Sequence, residues 1–185
     1  FRLDVYPDRL DPKLGISPRA LMKRVYESAV SYARTFSTAS ESLLFMGATG
    51  LGKTLLSGCI ARAVADRGYS VCYVSAGKLF SDFETEKFRL KEDGALTGEY
   101  LQTDLLIIDD LGTEMTTQFT VSALYQIVNG RLLSGKPTIV STNLPDTELE
   151  ARYSAQIASR LLGAYTLYQF CGTDVRLLRK MESRG

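Results

Sequence analysis

A glycine-rich octapeptide, GATGLGKT at positions 47–54, lies between a short apolar run and a helical stretch. The run Leu43–Met46 predicts a buried strand, and Leu55–Ala65 predicts a helix that stops before Gly68. Glycines let backbone N–H groups turn inward around an anion, and the following helix points the positive end of its dipole at the same place. The unit therefore predicts a phosphate-binding loop at the end of a sheet strand. The alternative is an ordinary glycine-rich turn.

The last two residues of the octapeptide specify the phosphate ligand further. Lys53 supplies a positive charge for β- and γ-phosphates, and the Thr54 hydroxyl is suited to be a Mg²⁺ ligand. The predicted cofactors are therefore ATP or ADP and Mg²⁺. We expect the nucleotide to contact nine consecutive residues: Gly47, Ala48, Thr49, Gly50, Leu51, Gly52, Lys53, Thr54 and Leu55.

Apolar runs and helical stretches alternate along the rest of the chain. Runs that are apolar on both faces, separated by helices, are typical of a parallel sheet covered on both sides. The prediction is a three-layer α/β fold with five parallel strands, whose order the pattern leaves open. Strands are expected at Leu43–Met46, Val71–Val74, Leu105–Ile108, Thr138–Val140 and Tyr165–Phe170, and helices at Pro18–Phe36 (N-cap Ser17), Leu55–Ala65, Lys78–Phe88, Gln118–Leu133 and Leu149–Leu162. The charged stretch Glu84–Asp104 is expected to be a solvated excursion.

The third strand ends in two adjacent acids, Asp109 and Asp110. A buried strand that ends in carboxylates places negative charge where a cation will compensate it. Asp109 is suited to hold Mg²⁺, and Asp110, pointing to the other face, to polarise an attacking water. The alternative is a turn or a helix cap, where aspartate is common.

Asn143 closes the fourth strand in the triplet Ser141-Thr142-Asn143. If that strand lies beside Leu43–Met46, the Asn143 amide would reach the γ-phosphate or the lytic water. The competing interpretation is an Asx-turn that leads into Leu144-Pro145.

Two downstream arginines are candidates for stabilising transition-state charge. Arg160 lies on a helix whose other positions are apolar, and it could reach the γ-phosphate of a neighbouring subunit. Its alternative is a surface ion pair with Glu148 or Glu150. Arg176 is a similar case in a basic terminal stretch, which is usually a solvated end.

Composition excludes several other classes of protein. The 185 residues contain no histidine, which removes histidine bases and histidine-containing zinc sites, and the net charge of +1 indicates no global attraction to nucleic acid or anionic membrane. No apolar run is long enough to cross a membrane. Cys59, Cys72 and Cys171 are an odd number without a C-x-x-C pair, so reduced, packed thiols and a cytoplasmic location are expected.

Four motifs together give this sequence a family resemblance: GATGLGKT (47–54), LLIIDDLG (105–112), STN (141–143) and SRL (159–161). Over about Ser17–Arg179, the chain resembles the AAA+ ATPases, and specifically the bacterial helicase loaders of the DnaC/DnaI type and their transposon relatives of the IstB type. The resemblance implies an AAA+ core of the P-loop NTPase fold. It also implies these roles: Lys53 and Thr54 in Walker A, Asp109 and Asp110 in Walker B, Asn143 as sensor 1, Arg160 as an arginine finger acting in trans, and Arg176 as sensor 2.

The resemblance further implies a lead-in over residues 1–41, an AAA+ core over 42–185, an absent or vestigial helical lid, and a helicase-binding domain outside this chain. The expected function is ATP-dependent loading of a replicative DNA helicase onto single-stranded DNA, with self-association through Arg160. Hydrolysis is expected to be slow, because Asp110 replaces the glutamate of most AAA+ members. The alternatives are an IstB-like transposition helper, a P-loop kinase of a small molecule, and a nucleotide-sensing scaffold without turnover.

Overall fold

The computed structural model describes residues 1–12, 14–89 and 95–175. Among these residues, helices and strands alternate as the sequence predicts. The helices are α1 Pro18–Thr35, α2 Lys53–Ala65, α3 Ala76–Arg89, α4 Ala95–Gln102, α5 Gln118–Leu133, α6 Asp146–Tyr153 and α7 Ala155–Ala164. The strands are β1 Leu43–Met46, β2 Val71–Ser75, β3 Leu105–Leu111, β4 Thr138–Thr142 and β5 Thr166–Gln169.

The five strands form one parallel sheet in the order β2-β3-β4-β1-β5. This confirms the predicted fold class, and it supplies the strand order that the sequence pattern leaves open. Strand β4 pairs directly with β1, so that Thr142 lies opposite Met46. The ends of β1 and β4 therefore meet at the edge of the sheet where the glycine-rich loop begins.

The sheet separates two hydrophobic clusters, because successive side chains of each strand point to opposite faces. Leu44 and Val140 belong to the cluster that includes Leu79 of α3, Leu124 of α5 and Ile157 of α7. Their neighbours along the strands contribute to the second cluster, together with α1 and α2 (Leu43, Ile139, Met22, Val25, Leu56 and Ile60). Helices thus cover both faces of the sheet, which gives the predicted three layers.

Side-chain caps fix the start of two helices. The Ser17 hydroxyl accepts a hydrogen bond from the Ala20 N–H at 3.2 Å, and Pro18 occupies the first helical position. At the start of α5, Thr117 and Thr120 each accept from the other's backbone N–H, at 3.2 and 2.8 Å. These bonds satisfy N–H groups that have no partner within the helix.

The prediction of a solvated excursion over Glu84–Asp104 is wrong for the residues that the structure describes there. Helix α4 brings Tyr100 into the core, where 6% of it is exposed and its ring stacks on Phe83. The Tyr100 hydroxyl donates to the carboxylate of Asp82 at 2.5 Å. Because the stretch is rich in charged residues, the sequence pattern did not indicate that Tyr100 is buried. Burial of its ring stabilises the fold more than the surrounding polar residues suggest.

A buried arginine stabilises the end of α4. Arg131 of α5 is fully buried and donates to the carbonyls of Tyr100 and Thr103 at 2.8 and 3.0 Å. Burial lowers the pKa of Arg131 to about 10, which leaves the guanidinium charged at neutral pH. Because carbonyls at a helix C-terminus lack partners within the helix, the guanidinium satisfies them and anchors α4 to α5.

The predicted single helix Leu149–Leu162 is also wrong, since two helices, α6 and α7, occupy this region. They are separated at Ser154, whose backbone has φ 102° and ψ 152°. Side chains other than glycine rarely adopt this conformation, so the break stores backbone strain. Neither a glycine nor a proline marks the position, which is why the pattern of apolar residues continued through it.

All three cysteines carry free thiols, as expected. Cys59 differs from the prediction because it is exposed on α2, whereas Cys72 and Cys171 are half-buried. Among the helices of the described residues, none combines the length and hydropathy that a membrane-spanning helix requires.

Candidate functional site

The glycine-rich loop connects β1 to α2 and is closely packed against other backbone. Gly47 has φ 148°, and a Cβ atom there would lie 2.4 Å from the Phe170 carbonyl oxygen. Gly50 has φ 76°, and its Cβ would lie 2.0 Å from Oδ1 of Asp174. Position 47 therefore requires glycine for conformation and for space, whereas position 50 requires it for conformation, because the side chain of Asp174 can move aside.

Lys53 begins α2 and folds back over the loop. Only 5% of this residue is exposed, and its Nζ donates to the carbonyls of Gly47 and Ala48 at 2.5 and 2.9 Å. The ammonium group thus lies inside the turn, at the N-terminus of α2, where helix dipole and charge both favour an anion.

Two segments hold the loop from outside, and we call them the loop clamp: residues 1–6 and residues 174–175. The Tyr6 hydroxyl donates to the Leu51 carbonyl at 2.7 Å, and the Val175 N–H donates to the Gly50 carbonyl at 3.0 Å. Burial raises the pKa of Tyr6 to about 12, so its phenol remains a donor at neutral pH. The clamp restricts the loop backbone and so helps to preorganise its N–H groups for a ligand.

Asp109 lies at the end of β3, directly beside the start of α2. It is 5% exposed, and its Oδ1 accepts from the Thr54 hydroxyl at 3.3 Å and from the Ser141 hydroxyl. Its Oδ2 accepts from the Tyr73 hydroxyl at 2.9 Å. Burial raises the pKa of Tyr73 well above its ordinary value, so this phenol is protonated and donates. The two residues predicted to bind Mg²⁺, Thr54 and Asp109, are thus brought together, and hydroxyl and carboxylate oxygens are the ligands that Mg²⁺ prefers.

Asp110 is exposed, whereas Asp109 is buried, and the backbone of Asp110 is left-handed, with φ 56°. Its N–H donates to the Ser141 hydroxyl at 2.9 Å, while its side chain is exposed. Together with Lys53 and Thr54, it lines a cavity of about 660 Å³ bordered by loop residues 49–55. This volume suits a small-molecule ligand.

Asn143 follows β4 and is exposed. It lines a second cavity, of about 430 Å³, with Gly47 and Ala48 at the beginning of the loop. The turn after β4 is closed by Thr142, whose Oγ1 accepts from the Leu144 N–H at 3.1 Å. The strand order thus places Asn143 next to the loop. An Asx-turn at Asn143 would need the N–H of residue 145, and Pro145 has none, so the turn is formed by Thr142 instead.

Arg160 is fixed on the surface that α5 and α7 share. Its Nε donates to Oδ1 of Asn129 at 3.0 Å, and its guanidinium lies 4.7 Å from the ring centroid of Tyr125. These partners are different from the predicted alternatives, Glu148 and Glu150. None of the contacts described for Arg160 brings it to the glycine-rich loop of its own chain. Arg176 lies outside the described residues.

The sequence pattern missed two hydroxyls that contact Asp109. Ser141 lies two residues before Asn143 on β4, so the polar end of that strand was a usable signal. Tyr73 gave no such signal, because an aromatic residue in an apolar run is ordinarily assigned to the core.

A glycine cradle, a lysine at a helix N-terminus and an acid at the end of β3, one strand beyond the neighbouring β4, define a P-loop nucleotide-binding protein. Comparison with known proteins agrees: residues 21–167 match the family of IstB-like ATP-binding proteins, and the chain belongs to that family.

Individual proteins of known name share only a modest fraction of identical residues with this chain. The chain is 30% identical over 105 residues to an ATP-binding protein of a Mycobacterium tuberculosis insertion sequence, covering 57% of this chain and 41% of that protein. It is 27% identical over 135 residues to the replicative helicase loader DnaC of Escherichia coli, covering 72% of this chain and 55% of DnaC. The chain thus spans about half the length of the curated relatives that it matches.

The fold also resembles a solved structure. A crystal structure of the DnaC helicase loader superposes with a TM-score of 0.75 at 19% identity, covering 92% of this chain and 96% of that one. The likeness shows that the two chains share a fold.

Proposed function

We propose that this chain is an ATPase that acts as a nucleotide-dependent switch and loads a replicative DNA helicase onto single-stranded DNA in the cytoplasm. The observation that carries the proposal is the hydrogen bond of 3.3 Å between Thr54 and Asp109, directly beside the loop-facing ammonium of Lys53. It joins a phosphate cradle to an acidic strand end, which is the arrangement that ATP with a divalent cation requires.

The residues present fit both ligands. The positive-φ glycines and Lys53 suit the phosphates, and the Thr54 hydroxyl and the Asp109 carboxylate suit Mg²⁺. When bound, Mg²⁺ neutralises charge on the phosphate oxygens. Asp110, exposed in the same cavity, would accept a hydrogen bond from the attacking water and orient it. Asn143 would hold the same water or a γ-phosphate oxygen from the β4 side.

The chain would act as a nucleotide-dependent switch if Arg160 completes the nucleotide site of a neighbouring subunit. Its contacts with Asn129 and Tyr125 hold the guanidinium on the surface between α5 and α7, which supports a role outside its own site. ATP would then favour the assembled state because it binds that state more tightly, and hydrolysis would release the assembly. The similarity to DnaC supports a replicative helicase as the client.

A second candidate function is an ATPase helper that delivers a transposase. The family match to IstB-like proteins and the similarity to an insertion-sequence ATP-binding protein favour it. Both functions use the same nucleotide site, so the client distinguishes them.

Because the resemblance implies a helicase-binding domain outside this chain, the test supplies the purified protein together with the segments encoded beside this chain, with ATP, Mg²⁺ and circular single-stranded DNA. It adds either the replicative helicase or the transposase of the same genome. The helicase proposal predicts ATP-dependent recovery of helicase on the DNA ring, lost in Lys53→Ala. Recovery of transposase alone would replace it with the second function. Phosphate release without any acceptor is expected, whereas phosphoryl transfer to a metabolite would contradict both.

A further inference from the structure

Both carboxylate oxygens of Asp109 are occupied by hydroxyl donors from three different elements. Thr54 of α2 and Ser141 of β4 donate to Oδ1, and Tyr73 of β2 donates to Oδ2 at 2.9 Å. Hydrogen bonds to a carboxylate are charge-assisted and hold it more firmly than neutral ones. The carboxylate is therefore fixed in one orientation, with a separate donor on each side.

Tyr73 reaches Asp109 from the edge of the sheet. Its strand, β2, pairs with β3 so that Ser75 lies opposite Asp109, and Tyr73 precedes that pair on the same face. The residue is 41% exposed, although its hydroxyl lies among buried groups. A phenylalanine would satisfy the packing equally well, so the hydroxyl needs an explanation of its own.

The single proton of the phenol goes to Asp109, since a carboxylate is the strongest acceptor within reach. The phenol oxygen then accepts from the buried hydroxyl of Ser57, which lies 3.0 Å away. Ser57 belongs to α2, one turn after Thr54, and its single hydroxyl proton is shared between the phenol oxygen and the Thr54 carbonyl, 3.1 Å away. The chain Ser57–Tyr73–Asp109 thus links the helix that carries one predicted Mg²⁺ ligand to the strand that carries the other.

We propose that Tyr73 is a positioning residue that sets the affinity of the nucleotide site for Mg²⁺. By holding Oδ2, it leaves Oδ1 on the side of Thr54, where the two predicted ligand oxygens meet. Groups that hydrogen-bond to a metal ligand fix its direction, and their loss typically costs 10–100-fold in metal affinity or activity. The inference rests on the proposed function only as far as nucleotide binding with Mg²⁺, and it needs neither hydrolysis nor a particular client.

The test compares the whole chain with Tyr73→Phe, which removes one oxygen atom and keeps the ring. ADP binding is measured by calorimetry without Mg²⁺ and then over a series of Mg²⁺ concentrations. We expect the Mg²⁺ concentration for half-maximal enhancement of ADP affinity to rise about 10-fold in the variant. The affinity for ADP without Mg²⁺ and the thermal midpoint are expected to stay unchanged. Tyr69→Phe is the matched control, since the Tyr69 ring packs on Phe36, away from the site.

Three other outcomes would overturn the inference, each in a recognisable way, and a fourth would contradict the proposed function alone. An unchanged Mg²⁺ requirement in Tyr73→Phe would show that Ser141 and Thr54 suffice to place Asp109. An equal loss of ADP affinity with and without Mg²⁺ would assign Tyr73 a purely structural role. Absence of ADP binding by the parent chain would remove the nucleotide site, and the proposed function with it. Normal ADP binding without ATP hydrolysis would contradict the proposed function and leave the Tyr73 result valid.

Discussion

At the scale of single residues, the backbone at Asp110 decides how two adjacent acids divide their roles. Asp110 has φ 56° and an exposed side chain, while Asp109 stays buried among hydroxyl donors. Aspartate and asparagine tolerate the left-handed region better than most residues, because their short side chains hydrogen-bond locally. The conformation therefore suits aspartate at this position better than glutamate.

Asp110→Asn is expected to lower ATP hydrolysis about 100-fold, because it removes the carboxylate that orients water. The amide retains the size and the left-handed tolerance of aspartate, so ATP affinity and thermal midpoint should remain those of the parent. Phosphate release under saturating ATP measures the rate of hydrolysis, and calorimetry measures the affinity for ATP. Hydrolysis at the parental rate in Asp110→Asn would remove Asp110 from the mechanism.

Asp110→Glu tests the expectation of slow turnover. A longer carboxylate should reach the water better and raise the rate several-fold, whereas the left-handed backbone should cost about 1 kcal/mol of folding free energy. The rate of ATP hydrolysis at 25 °C measures the first effect, and a chemical denaturation curve measures the second. An equal or slower rate would contradict the explanation based on side-chain length.

At the scale of elements, the break between α6 and α7 concentrates strain at an exposed serine. The Ser154 N–H still donates to the Glu150 carbonyl at 3.0 Å, so α6 is closed normally while the next helix leaves in another direction. This change of direction helps to set the position of α7 and hence of Arg160. Along the chain, the strained residue thus lies between the end of β4, which borders the glycine-rich loop, and Arg160, the predicted arginine finger.

Ser154→Gly is expected to stabilise the chain by about 1 kcal/mol, because glycine adopts φ 102° and ψ 152° without steric cost. For a chain of this size, the thermal midpoint should rise by about 2–4 °C. The control is Ser154→Ala, which keeps the strain and should change stability by less than about 0.5 kcal/mol. Equal midpoints for the two variants would show that the break is unstrained.

The elements that were predictable from sequence are those that depend on local pattern. The runs at Leu43–Met46 and Leu105–Ile108 are buried strands, and the cap at Ser17 starts α1 as expected. The features that were missed depend on distant contacts. The buried position of Arg131 is set by carbonyls of α4, and the contact of Tyr73 with Asp109 arises only once β2 pairs with β3. At the candidate site, the glycine-rich motif predicted the positions of Lys53 and Thr54. The left-handed backbone at Asp110, in contrast, has no sequence signature.

At the scale of the whole molecule, the proposed switch needs two copies of the chain. The candidate nucleotide site lies at the carboxyl ends of the strands, and Arg160 is held by side chains of α5. The contacts described for Arg160 do not join it to the site of its own chain, which is the arrangement expected if neighbouring copies complete each other.

Arg160→Ala is expected to reduce ATP hydrolysis by about 1,000-fold and to weaken ATP-dependent self-association in sedimentation, with and without single-stranded DNA. Mixing it with Lys53→Ala, which has an intact finger and a defective site, should restore hydrolysis if the arginine acts in trans. Arg34→Ala, an exposed arginine in the last turn of α1, is the control for loss of surface charge. Failure of the mixture to recover activity would confine Arg160 to its own subunit.

The loop clamp couples two segments that are far apart in sequence to the glycine-rich loop. The ring of Phe1 stacks on Tyr6, which in turn holds Leu51, and Val175 holds Gly50 from the other side. A solvatochromic dye attached at position 1 would therefore sit within a few side chains of the glycine-rich loop and report ligand binding by its emission. For the same reason, an affinity handle appended next to either clamp segment should be removed before binding constants are measured.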